Sequence, residues 1–93
     1  MGEELTRREV FYAGHVQGVG FRQTTCLIAA SYAVTGYVEN LDDGRVHLEI
    51  QGPRSEVDGC LAELERRMGH RIRQAQATSH PAGAGWSDFT IRT

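Results

Sequence analysis

Clustered metal ligands are scarce in this chain. Its two cysteines, Cys26 and Cys60, have neither CxxC spacing nor a histidine cluster beside them, which argues against a zinc site and leaves a buried, reduced pair packed as small hydrophobes. Long apolar runs are missing as well. No stretch approaches the roughly 20 apolar residues a membrane helix needs, and the N-terminus MGEELTRREV lacks the hydrophobic segment of a secretory signal, so the cytosol is the expected compartment and no membrane partner is expected. Charge of one sign is not in excess either. Twelve acidic against ten basic residues leave a formal net charge of −2, which gives no footprint for a long polyanion. Nucleic acid is therefore not expected as a partner, and any anion site must be local.

What remains is ordinary globular material. With 93 residues, 40% of them apolar and 24% charged, the chain can close one core and has no signature of disorder. Residues 1–93 are expected to form one domain, with 1–7 as a flexible lead-in. No internal repeat or low-complexity linker divides it, although SHPAGAG (79–85) reads as a loop.

Periodicity predicts the order strand, helix, strand, strand, helix, strand, strand. EVFYA (9–13) is β-rich. Over 21–33, Phe21, Thr25, Ile28, Ala29 and Tyr32 recur at helical spacing. Residues 36–40 and 45–51 then read as two strands around the turn Leu41-Asp42-Asp43-Gly44, since an Asp-Gly pair favours a hairpin. Asp42 and Asp43 are read as turn residues rather than catalytic acids.

Val57, Leu61, Leu64 and Met68 form the core stripe of a second helix, with Ser55 as N-cap, Asp58 as its partner and Gly69 as the stop. Gly59 inside it should cost about 1 kcal/mol relative to Ala. Glu63 and Arg67 form a solvated i, i+4 pair. Strands near 71–78 and 87–92 complete the chain, the last with Phe89 and Ile91 on one buried face. This βαββαβ order suits an antiparallel sheet of four to five strands with two helices on one face. His47, His70 and His80 are widely spaced and are read as surface or core residues.

Between the first strand and the first helix lies GHVQGVGFR (14–22). Its three glycines allow sharp turns that point successive N–H groups into one concavity, a nest for an anion at a helix N-terminus. Arg22 adds a planar fork suited to two phosphate oxygens. Glycine spacing alone would fit a mere connection, and the run lacks the GK[ST] ending of a Walker A loop.

The run resembles the acylphosphatase signature G-x-V-Q-G-V-x-F-R, and GYVENLDDGRV (36–46) resembles a second signature of the same family, G-[aromatic]-V-x-N-x-x-D-G-x-V. The resemblance implies a ferredoxin-like α+β sandwich that hydrolyses the carboxyl–phosphate bond of small acyl phosphates. It implies that the backbone of His15, Val16, Gln17, Gly18, Val19, Gly20 and Phe21 cradles phosphate, that Arg22 binds its oxygens, and that Asn40 orients the attacking water. It also implies inorganic phosphate as product and competitive ligand, no metal or other cofactor, and a monomer. Three departures stand out: His15 where a basic residue is common, Tyr37 in place of Trp, and Gly69-His70 in place of Gly-Pro.

Two other readings share the βαββαβ plan. One is a maturation-type module that binds phosphate or carbamoyl phosphate without hydrolysis, as in the N-terminal domain of hydrogenase maturation carbamoyltransferases. Such domains belong to longer chains, and the end of this chain close to its last strand favours a free-standing enzyme. The other is an RNA-recognition sheet, which would need exposed aromatics on central strands and a basic surface.

Overall fold

The computed structural model describes residues 4–93. Among them, β1 (Leu5–Gly14), α1 (Phe21–Ala29), β2 (Thr35–Asn40), β3 (Val46–Pro53), α2 (Arg54–Met68), β4 (Ile72–His80) and β5 (Phe89–Arg92) follow in chain order. The sheet order is β4-β1-β3-β2-β5, and both helices pack on one face of it.

That face carries Val10, Tyr12, Val38, Val46, Leu48 and Ile50 from the strands, every second residue as the pleat dictates. Phe21, Ile28 and Ala29 of α1, and Val57, Cys60, Leu64 and Met68 of α2, close the core from above. Thr25 is buried with them because its hydroxyl donates to the Phe21 carbonyl at 2.8 Å. On α2 it is Cys60 rather than Leu61 that is fully shut in. Burial pushes the Cys60 thiol up to about 11, as for a structural cysteine. Cys26 is only half-buried, so the pair is not equally enclosed.

Several boundaries differ from the sequence pattern. β1 begins at Leu5 instead of 9, so residues 5–7 of the expected flexible segment are strand; residues 1–3 lie outside the described residues. The polar run hides the strand, but its arginines find partners on both faces. Arg8 pairs with Asp58 on α2, and Arg7 lies over the Trp86 ring at 4.3 Å. α1 ends at Ala29, and the chain turns there through Ser31 N–H to Ile28 O and Tyr32 N–H to Ala29 O. Tyr32 still reaches the core edge, its hydroxyl donating to Glu63 Oε1 at 2.9 Å.

α2 starts one residue before Ser55. Pro53 is its N-cap, with no side-chain cap bond, because the fixed proline φ leads straight from β3 into the first turn. Asp58 is spent on Arg8, and Glu56 Oε1 instead accepts the Ala33 N–H at 2.8 Å. Gly69 stays right-handed at φ −57° and opens a 3₁₀ turn, Gly69–Arg71, instead of a left-handed stop.

One pairing is parallel where an antiparallel sheet was expected: β5 runs alongside β2. β4 ends at the end of the sheet where β2 begins, and the loop 81–88 crosses that end, so β5 enters in the same direction as β2. The crossing is pinned by Gln51, buried on β3, whose Nε2 donates to the Gly83 carbonyl at 2.9 Å and whose Oε1 accepts the Gly83 N–H at 3.0 Å. Trp86 then packs edge-on against Tyr37.

Candidate active site

β1 delivers the glycine-rich loop to one end of the sheet, where the His15 N–H donates to Arg71 O at 2.9 Å. The Val16 side chain is buried and anchors the loop in the core. Gly18 and Gly20 adopt φ of 76° and 78°, left-handed values that a Cβ would strain. Gly20 is the N-cap of α1 and offers no side chain, and no acidic residue occupies the first turn. The start of α1 thus has no side-chain cap, which suits it to an external anionic acceptor.

A second connection faces this loop. Asn40 is the last residue of β2, and the turn after it closes through Leu41 N–H to Arg45 O at 2.8 Å. Asp43 ties the turn by accepting the Arg45 N–H and guanidinium; these contacts hold its carboxyl below the usual range. Gln17 joins the two loops. Its side-chain amide donates to both Leu41 O (2.8 Å) and Arg45 O (3.0 Å).

Between the loops opens a cleft of about 340 Å³ lined by Val16, Gly18, Gly20, Phe21, Arg22, Gln23, Asn40 and Ile91. Arg22 and Asn40, eighteen positions apart in the chain, meet in it. Arg22 is half-buried and has no salt-bridge partner among the described residues. Asn40 Oδ1 is buried and has no hydrogen-bond partner among them. A buried amide acceptor left without a partner is costly unless a ligand or water meets it.

The remaining loop residues divide by role. The His15 side chain is exposed and outside the cleft lining, Val19 packs against the core, and Gln17 holds the hairpin. Gln23 and Ile91 line the cleft without having been foreseen. Gln23 follows Arg22 directly and could have been suspected; Ile91 had no local signal, because only the parallel β5 pairing brings it there.

The other face of the sheet holds a cluster that wide spacing concealed. His47 is buried, with Nε2 2.7 Å from Glu9 Oε2 and Nδ1 2.8 Å from Glu39 Oε2. His80 Nε2 lies 2.9 Å from the other oxygen of Glu9. The two histidines hold the Glu9 carboxyl below its usual range. Phe11 stacks on His47 at 4.6 Å. Ligand atoms of Glu9, His47 and Glu49 fall within 4.8 Å of one another, but Glu49 also accepts the Tyr37 hydroxyl at 2.7 Å, and the group reads as a hydrogen-bond network.

The acylphosphatase family profile matches residues 8–91. The chain belongs to the acylphosphatase family. It is 47% identical over 89 residues to an acylphosphatase of Clostridium perfringens, covering 96% of this chain and 91% of that one. An acylphosphatase crystal structure from Bacillus subtilis superposes with a TM-score of 0.85 at 25% identity, over 97% of this chain and all of that one. Full-length HypF in its phosphate- and nucleotide-bound form shares the fold, with a TM-score of 0.80 at 22% identity, over all of this chain and 12% of that chain. Acylphosphatase membership accounts for both signatures, residues 14–22 and 36–46. Among the described residues no helix is long and apolar enough to cross a membrane.

Proposed function

We propose that the chain hydrolyses small acyl phosphates to carboxylate and inorganic phosphate, with phosphate held by residues 16–21 and Arg22, and water held by Asn40; His15, expected in the cradle, is left out because its N–H is spent on Arg71 O. The carrying observation is the unpartnered, buried Asn40 Oδ1 in the same cleft as Arg22 and the uncapped start of α1. An acyl phosphate already has a good leaving group, so fixing the phosphoryl group and a water in line, and stabilising charge on the oxygens, supplies most of the catalysis.

Each residue has a distinct task. Backbone N–H groups of the loop donate to the phosphoryl oxygens while the dipole of α1 favours their charge. Arg22 grips two oxygens at once. Asn40 can accept from the water and donate to it, yet is too weak a base to take its proton. That proton passes to the phosphate of the substrate itself or to solvent, and the carboxylate leaves.

No metal or organic cofactor enters this scheme. The test is release of carboxylate and phosphate from acetyl phosphate by the purified protein, with and without excess chelator. Turnover unchanged by chelator is expected. Turnover lost to chelator and restored by one divalent ion would contradict the scheme, and phosphate binding without turnover would instead favour a binding module on this fold.

A further inference from the structure

A phosphoryl group alone would fill only part of the cleft. At about 340 Å³ it reaches the lower end of the roughly 300–1,000 Å³ that encloses a whole small organic ligand, so there is room for the acyl group beside the phosphoryl group. The polar donors come from the loop, Arg22 and Asn40. Facing them is Ile91.

Ile91 differs from the other apolar residues of the lining. Val16 and Phe21 are 1% and 2% exposed and already spent on the core, whereas Ile91 is 40% exposed. β5 pairs it with Val38, two residues before Asn40, so Ile91 sits on the same face of the sheet as Asn40 and one strand away. A lone exposed isoleucine is ordinary on a surface. Here it forms the open apolar wall of a cleft whose other surfaces are shaped for an anion.

We propose that Ile91 is the contact for the acyl group and biases the chain toward acyl phosphates with an apolar or aromatic acyl group over acetyl phosphate. This rests on the acyl phosphate reading of the same cleft. The two ends of such a substrate make opposite demands, a dianion at the loop and an apolar body at Ile91. Each methylene-sized portion withdrawn from water by that contact corresponds to about fourfold in affinity.

Acylphosphonates test this without turnover, because they carry the acyl group and the phosphoryl group but no scissile oxygen bridge. Calorimetric titration with acetylphosphonate and benzoylphosphonate should show the benzoyl form binding about tenfold tighter to the unaltered chain. That ratio should shrink to about threefold or less in Ile91→Thr and be retained in Ile91→Leu. Thr keeps the β-branched shape; if Ile91→Thr did not fold, Ile91→Val would be read the same way, with a lower ratio expected. Equal binding of the two phosphonates, or an undiminished ratio after the substitution, would overturn the proposal. Acetyl phosphate hydrolysis reports the activity separately: preferential binding without turnover keeps the acyl wall and removes the hydrolase, and binding of neither phosphonate removes both.

Discussion

The Gln17 side-chain amide donates to the Leu41 carbonyl at 2.8 Å, spanning from the glycine-rich loop to the β2–β3 turn. A second bond from the same nitrogen to Arg45 O, at 3.0 Å, makes Gln17 the strut that sets Arg22 and Asn40 across one cleft. Gln17→Ala should lower stability by about 1–3 kcal/mol, since it strips a donor from two carbonyls. It should also reduce turnover of acetyl phosphate, with kcat affected more than inhibition by phosphate. Chemical denaturation and steady-state kinetics on one preparation check this; unchanged kcat in a folded variant would show that the strut does not set the chemistry.

Arg22 is expected to be the main charge partner of phosphate, through charge-assisted hydrogen bonds worth roughly 1.5–3 kcal/mol. Phosphate inhibition should weaken at least tenfold in Arg22→Ala, and Arg22→Lys should recover little, because an ammonium cannot span two oxygens as a fork does. Normal phosphate inhibition in Arg22→Ala would take Arg22 out of the site.

Gly59 sits where a Cβ would meet Tyr32 Cε1 at 2.9 Å, so the helix forgoes propensity to seat a ring that is also tied to Glu63. Alanine at this position would normally add about 1 kcal/mol. Gly59→Ala alone should show no gain, and the gain should reappear when Tyr32→Ala is added. Thermal melts of the single and double variants decide this, and a stabilised Gly59→Ala single variant would rule out the contact.

The legible parts of this molecule were those with local signals. Two motifs placed the loop, Arg22 and Asn40, and the stripes of α1 and α2 were readable because one face of each is buried. β4 was hard to bound because it is exposed along nearly its whole length, so no alternation marks it. The early start of β1 was masked by polar side chains whose partners lie on α2, β3 and the crossing loop. The Glu9–His47–Glu39 network joins three strands, and no spacing along the chain could reveal it.

That network predicts acid sensitivity. Glu9 is held below its usual value of 4.5, first by its hydrogen bond to His80 and then by that to His47. A carboxyl lowered on folding contributes stability that is present above 4.5 and fades as pH falls through the lowered value. Glu9→Gln should be less stable than the parent at neutral pH and lose less stability on acidification. Denaturation curves across the acidic range check this, and parallel curves for the two proteins would contradict it.

Asn40 decides the account, because it alone separates holding a water from holding phosphate. In Asn40→Ala, kcat for acetyl phosphate should fall by about 10² or more, the scale for losing one preorganised polar group, while competitive inhibition by phosphate stays nearly unchanged. If Asn40 merely ends β2 and supports the turn, the substitution should instead cost about 1 kcal/mol of stability and move binding and turnover together. The measurement is kcat and the phosphate inhibition constant on the same folded Asn40→Ala preparation: a loss confined to kcat is the predicted result, and near-normal kcat would contradict the assignment.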